Sequence, residues 1–385
     1  MSEPISYFDN AATSWPKPAT VYAKMLSSFQ ASGGNPGRGG HALAMAAEHL
    51  VAGARHRVAK LLNAEKPERI VFTHNATDAL NIAIKGLLRP GDHAIASVID
   101  HNSVIRPLRG LEQRSHVTLS LVGCAKNGVI DPTEVAALIR PTTRLIVLSH
   151  ASNVTGAIQP VAQVAALAQE RGIVLLVDAS QTAGLLPIDV QAWGVGMLAA
   201  AGHKSLCGPT GTGVLYVREG IDLAHFREGG SGTHSEDPQQ PQEMPYRLEA
   251  GTPNTLGIAG LEAGIAFIVD TSSERMLAHE RALATTFREG LARIEGATVY
   301  GPSDPALGLG IVSMNLAGLE PTDLAAILDQ SFQIAVRAGL HCAPHAHQAL
   351  GTAPSGTVRF SFGFFNTLAQ VERAVAALGE IAASV

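Results

Sequence analysis

Between residues 69 and 217 the chain repeats one pattern: an apolar run of five to eight residues, then a stretch of helical period. "RIVFTH" (69–74) leads into "ATDALNIAIKGLL" (76–88), and "HAIASV" (93–98) into "NSVIRPLRGLEQR". "VTLSLV" (117–122), "TRLIVLSH" (143–150) and "IVLLVDAS" (173–180) follow with helical segments between them; "GMLAAAGHK" and "GTGVLYV" close the series. Strands this uniformly apolar have no polar face to give to water. They belong to a mostly parallel sheet covered by helices on both sides, so the predicted fold class is α/β.

Beyond about residue 257 the texture changes. Long helical stretches ("RALATTFREGLARI", "EPTDLAAILDQ", "LAQVERAVAALGEIAA") mix with short strands ("IVSMNL", "TVRFSF"), the mark of a smaller α+β unit. The expected organisation is a large domain over 16–257 and a small one over 258–385, with segment 1–15 packing on the small one. A chain of 385 residues with 46% hydrophobic content can fill both cores. The Pro-, Gln- and Glu-rich stretch "HSEDPQQPQEMP" (234–245) reads as an exposed loop.

A net charge of −5 without any basic run argues against a nucleic-acid partner. No apolar run nears the ~18 residues of a membrane span, and "MSEPISYFDN" has no secretory pattern. Cys124, Cys207 and Cys342 are too few and too scattered for a disulfide framework, which points to a reducing compartment. The expectation is a soluble, cytoplasmic protein.

Two residues carry the chemistry. Lys204, in "AGHKSLCGPTGTG", follows an apolar strand and precedes a Gly-rich turn; in a low-dielectric pocket its ammonium form is disfavoured and the amine becomes nucleophilic. Asp178 ends the most apolar strand, where open α/β sheets place ligand-contacting groups. A buried carboxylate needs a cation, and a protonated pyridine nitrogen supplies one. A lysine and a carboxylate so placed are the pair that pyridoxal 5′-phosphate (PLP) requires. Its phosphate would sit at the start of the helix after "FTHN", on Ala76 and Thr77.

One stretch stays open on spacing alone. "VRAGLHCAPHAHQALG" (336–351) sets Cys342 among His341, His345 and His347, a pattern open to a metal site, a nucleophile or a His-rich loop. Cys342, His345 and His347 have intervals that zinc permits, but no matching ligand pair stands elsewhere, and no metal is expected.

Taken together, "HASNVTGAIQPV", "VDASQTAG", "GHKSLCGPTGTG", "LEAGTPNT" and "RAGLHCA" resemble the class V, fold-type I PLP enzymes, and within them the cysteine desulfurase and selenocysteine lyase branch. The resemblance runs from about Tyr7 to the last helix. It implies that Lys204 carries PLP as a Schiff base and that Asp178 pairs with the pyridine nitrogen. It further implies that Gln181 and Asn153 bond the phenolic oxygen, that His101 stacks on the ring and shuttles protons, and that Ala76, Thr77 and His203 hold the phosphate. Gly251 and Thr252 would reach the phosphate of a neighbouring subunit, which implies a homodimer with shared sites. Arg359 would grip the substrate carboxylate as a fork, with Asn153 beside it. Asn10, Ala11, Arg38 and His41 fall where the family's N-terminal segment lines the substrate pocket. Cys342 aligns with the persulfide-forming cysteine, and the 17 residues from it to Arg359, with Arg337 five residues before it, match the short-looped group II enzymes of iron–sulfur assembly or selenium metabolism.

The implied reaction converts L-cysteine to L-alanine, with the sulfur passing to Cys342 and onward to an acceptor protein. Neighbouring His341 or Arg337 would favour the thiolate. Selenocysteine is the alternative substrate; a class V aminotransferase or C–S lyase that does not use Cys342 is the alternative enzyme. Two departures stand out: Ala201 replaces the family's hydroxyl residue at the phosphate site, and Gly37 replaces a histidine before Arg38. Cys207 and Cys124 read as inert buried thiols, His74 as a strand-end residue, and Trp15 and Trp193 as packing residues. Cys342 reads as a nucleophile on a mobile loop, with His345 and His347 as loop residues.

Overall fold

The computed structural model describes residues 5–31, 33–37, 39–233 and 236–385. Seven strands form the main sheet, in the order Ile70–Thr73, Gly213–Val217, Met197–Ala201, Val174–Asp178, Thr143–Ser149, His93–Ser97, Thr118–Val122. The pairings from Met197–Ala201 to Thr118–Val122 are parallel; Gly213–Val217 pairs antiparallel with both its neighbours. The apolar runs are central because both their faces are needed. Leu175 and Val177 join one hydrophobic core, while Val174 and Leu176 join the core on the opposite side, as a period of two dictates. The fold class is the α/β one expected.

A second, antiparallel sheet runs Arg337–Gly339, Thr357–Ser361, Ile311–Leu316, Ala297–Tyr300. It packs against the helices Ser273–Leu291, Pro321–Phe332 and Leu368–Ala382 around a separate core that includes Phe8, Phe287 and Phe360. The N-terminal segment joins this smaller unit: Ser6–Tyr7 pairs parallel with Ile334–Ala335, and the Ser361 N–H donates to the Phe8 carbonyl at 2.7 Å.

The expected boundary at 257/258 falls inside a helix, Thr255–Thr271. That helix buries Leu261, Ile265 and Ile268 in the large unit's core, then breaks at Ser272 with a bend of 81° into Ser273–Leu291. The chain leaves the large unit there because Ser272 takes a positive φ and caps the next helix through its hydroxyl. In the stretch expected as an exposed loop, residues 236–239, 242 and 243 are exposed, while Gln240, Pro241 and Pro245 are buried; residues 234 and 235 lie outside the described residues. Gln240 is buried, accepts from the Gly229 N–H and donates to the Tyr246 carbonyl. Among the described residues no single helix is long and apolar enough to cross a membrane.

Candidate active site

The carboxyl ends of the parallel strands face a cavity of about 230 Å³. Chain order reverses at His93–Ser97, which lies between Thr143–Ser149 and Thr118–Val122, and open α/β sheets bind ligands at such a crevice. His101 follows the first of these strands, Asn153 the second, and Asp178 ends the next. All three line the cavity with Gln181, His203, Lys204 and Arg359.

Lys204 sits two residues beyond a tight approach. A Cβ at Gly202 would lie 2.1 Å from Thr212 Oγ1, so only glycine lets the turn close. The turn is then strapped from the N-terminal segment. The His203 carbonyl accepts from Lys17 Nζ at 2.7 Å, Thr13 Oγ1 at 3.1 Å and the Ser14 N–H at 3.1 Å, and Ser14 Oγ donates to the Lys204 carbonyl at 3.0 Å. Burial, offset by Asp178, pushes the Lys204 amine down to about 8. Among the described residues nothing hydrogen bonds or ion-pairs with it.

Asp178 spends Oδ1 on its own turn, accepting from the N–H and hydroxyl of Ser180; no described donor reaches Oδ2. His101 is held neutral: burial first, then Lys204, pushes it down to about 4. Its Nδ1 accepts from the Ser103 N–H at 3.0 Å and from Ser103 Oγ at 2.9 Å, and Ser103 Oγ meets Thr77 Oγ1 at 2.7 Å. Nε2 therefore carries the imidazole proton. At the start of Ala76–Leu87, Asn75 caps the Asp78 N–H, while the N–H groups of Ala76 and Thr77 have no described acceptor. His203 Nδ1 is likewise buried without a partner. Ala201 lines the same cavity.

Arg359 is almost fully buried on an interior strand of the small sheet. One NH2 hydrogen goes to Asp9 Oδ1 at 2.7 Å and one NH1 hydrogen to the Asn153 carbonyl at 2.9 Å; Nε is unpartnered. Two arms of the fork are thus shared with the protein and three N–H groups remain.

Cys342 is not among the cavity-lining residues, but Arg337 is, and its NH2 donates to Cys342 Sγ at 3.3 Å. The Cys342 carbonyl accepts from the Asn102 N–H at 2.7 Å, next to His101. Here the reading of His345 and His347 as loop residues is corrected. His345 and His347 lie on a helix, Pro344–Leu350, and His347 is fully buried. The reason is that Ala343 and Ala346 pack on Val154 in a small core of their own. His341 is no cation beside the thiol: burial holds it neutral, and its ring points to the Arg337 carbonyl and His347. His345 turns to Gln348 instead.

Several expected site residues lie apart. Ala11 lines the cavity, whereas Asn10 lines a smaller one that shares Lys204 and Gln181 with it; its amide bonds the Ser361 carbonyl and Asn366, and its oxygen accepts from the Trp15 N–H. Gly251 and Thr252 are exposed and line a separate 280 Å³ cavity, together with His74. His41 caps the helix Ala42–Leu62; Arg38 lies outside the described residues. Trp193 packs edge-on against His150, whereas Trp15, expected to pack, is 52% exposed beside Tyr7. Cys207 is buried and its thiol pushed up to about 12; burial also raises Cys124. Ser103, Lys17 and Asp9 were not anticipated. The only signal for them is proximity in sequence to His101 and to the N-terminal segment.

The Aminotransferase class-V family matches residues 6–374. A probable cysteine desulfurase of Methanothermobacter thermautotrophicus is 35% identical over 382 residues, 98% of this chain and 94% of that protein. A cysteine desulfurase of Yersinia pestis is 33% identical over 388 residues, 98% of this chain and 94% of its own length. Among solved structures, the apo cysteine desulfurase of Thermococcus onnurineus superposes with a TM-score of 0.93 at 35% identity, covering 99% of this chain and 95% of that one. The S-sulfonic acid form of an Escherichia coli cysteine desulfurase gives 0.90 at 31% identity, covering 100% and 96%.

Proposed function

The chain belongs to the class-V aminotransferase family, and from that premise we propose that it is a PLP-dependent cysteine desulfurase, converting L-cysteine to L-alanine and taking the sulfur onto Cys342 as a persulfide. The observation that carries this is the meeting of Lys204, Asp178 and Arg359 on one cavity, one of whose wall residues, Arg337, donates to the Cys342 thiol. The residues fit the cofactor. Lys204 is a partnerless amine, Asp178 Oδ2 awaits a cation, and the free N–H groups of Ala76 and Thr77 with the orphaned His203 Nδ1 suit a phosphate.

When bound, PLP supplies an electron sink for the substrate's Cα. The chain's own residues do the rest. Arg359 and Asn153 hold the substrate carboxylate, and Lys204, with its amine near 8, takes the Cα proton at Nζ. His101 presents a neutral imidazole with its proton on Nε2 toward the cavity. The Cys342 thiolate attacks the substrate sulfur: the S–S bond forms, the substrate's Cβ–S bond breaks, and a proton completes the methyl group of alanine. Thiol plus cysteine gives persulfide plus alanine, so no outside oxidant is needed.

The proposal includes a second copy of the chain. Tyr22, Leu26 and Phe29 form an exposed apolar stripe along Ala19–Ala31, and Gly251 and Thr252, outside the Lys204 cavity, would serve the partner's. It also includes a cytoplasmic acceptor protein for the persulfide sulfur.

The test is Cys342→Ala with L-cysteine and an added dithiol reductant that discharges the persulfide as sulfide, following sulfide and alanine. Both fall at least about a hundredfold while cofactor absorbance stays. Continued sulfide release with pyruvate and ammonia in place of alanine would make the enzyme a simple C–S lyase, and amino-group transfer to a keto acid an aminotransferase. L-selenocysteine run in parallel separates the two substrates.

A further inference from the structure

Two consecutive non-glycine residues, His341 and Cys342, take left-handed backbone angles, with φ of 48° and 58°. Side chains rarely adopt that region unless their surroundings over-determine it. Two clamps are on the backbone: the Asn102 N–H on the Cys342 carbonyl, and Asn153 Nδ2 on the His341 carbonyl at 2.8 Å. The third runs through side chains. His341 Nε2 lies 3.1 Å from the Arg337 carbonyl, which can only accept, so that nitrogen carries the proton. His341 Nδ1 must then accept, and it lies 3.3 Å from His347 Nε2. That makes His347 Nε2 the donor and its Nδ1 an acceptor for the Thr352 hydroxyl, 2.7 Å away. Only one arrangement of protons satisfies the chain with both rings neutral, and burial keeps them so.

Resting on the desulfurase reading, the geometry points to His347 as a positioning residue for the sulfur-accepting nucleophile. Through His341 it fixes the turn that brings Cys342 Sγ to Arg337. His347 touches neither the cavity nor the thiol. It acts by holding His341, whose ring would otherwise rotate and release the strained pair. The His341 and His347 rings lie 5.5 Å apart at 30°, stacked within the wall behind the turn.

The test compares His347→Leu, which removes the donor, with His347→Gln, whose amide restores an N–H near Nε2, and with Thr352→Val. Three quantities are read on PLP-loaded protein: cofactor absorbance, single-turnover alanine formation with Cys342 persulfide by mass, and the rate of Cys342 alkylation by iodoacetamide without substrate. In His347→Leu the absorbance and KM stay as in the wild type, while sulfur transfer slows about ten- to a hundredfold, the cost of a nucleophile about 1 Å out of place. Alkylation also slows, because Sγ is no longer held at Arg337. His347→Gln recovers most of both rates, and Thr352→Val falls between. Wild-type transfer and alkylation in His347→Leu overturn the proposal, as does a glutamine variant as slow as the leucine one. Should His347→Leu fail to fold, the ordering of Gln above Val and below wild type carries the test, and equality of all three overturns it. Failure of the desulfurase reading shows separately, as continued sulfide release by Cys342→Ala, and leaves the alkylation comparison intact.

Discussion

Two turns present the two proposed nucleophiles, and they are held differently. The Lys204 turn hangs from a buried parallel strand and is gripped on its backbone carbonyls by four donors from the N-terminal segment. The Cys342 turn hangs from a three-residue strand of the small sheet, Arg337–Gly339, and has one backbone clamp, the Asn102 N–H on the Cys342 carbonyl; the rest of its support comes through side chains. Backbone strapping spreads the load, so no single side chain decides where Lys204 sits. A side-chain chain concentrates it. The lysine end of the site therefore tolerates substitution of its supports, and the cysteine end does not.

The comparison breaks first at the nucleophiles themselves. Lys204→Ala loses turnover by at least about a thousandfold, together with the borohydride-trapped cofactor adduct seen by mass. Cys342→Ala keeps the adduct and loses only transfer. If both variants lost the adduct, the two turns would not be separable. In the apo chain, adduct formation with PLP rises with pH through about 8, since the neutral amine reacts, where an ordinary lysine would need pH above 10.

Arg359 stands between the turns, and its counter-ion tests the seam. Asp9→Asn leaves a nearly fully buried guanidinium without a charge partner. The full penalty for such a break is roughly 3–5 kcal/mol; Asp9 is partly exposed, so about 2 kcal/mol is expected, read as a shift in the urea midpoint.

Glu280 probes the packing behind Lys204. It lies on Ser273–Leu291, lines a small cavity with Lys204, Ser205 and Cys207, and burial pushes it up to about 8 from 4.5. The folded state thus binds the proton more tightly than the unfolded one. Its stabilising effect is fully present below pH 4.5 and is lost as pH rises toward 8. Glu280→Gln, uncharged throughout, melts with the wild type at pH 4.5 and roughly a few degrees above it at pH 8. A constant difference across pH would mean the carboxylate is already solvated.

Legibility in the sequence follows the same division. Lys204 and Asp178 stand where buried apolar runs end, so strand periodicity points to them; His101, four residues past such a run, is marked only by the family resemblance. The packing of Ala19–Ala31 and Ala42–Leu62 left no comparable mark, because the first buries only Val21 and exposes Tyr22, Leu26 and Phe29. Asn10 sits in the right segment, yet its amide is taken up by Ser361 and Asn366, which no local pattern announces. His347 was hidden for a physical reason: a seven-residue helix after Pro344 shows too little periodicity to tell its buried face from its exposed one.

The smallest effect is the sharpest test of the comparison. Lys17 is the charged member of the strap, half-buried, with its ammonium 2.7 Å from the His203 carbonyl and 2.8 Å from Ser14 Oγ. Burial pushes it down to about 8, so part of its charge-assisted bond is already offset by desolvation. Lys17→Met removes one donor of four and leaves Thr13 and Ser14 in place. The expected loss is about 1 kcal/mol of stability, read by denaturant midpoint, with the sulfide rate and the cofactor adduct within about threefold of wild type. His347→Leu, by contrast, removes the one hydrogen bond on His341 Nδ1 among the described residues. If Lys17→Met slowed sulfur transfer as far as His347→Leu does, the lysine turn would depend on single side chains after all, and the distinction between a strapped turn and a chained one would fall.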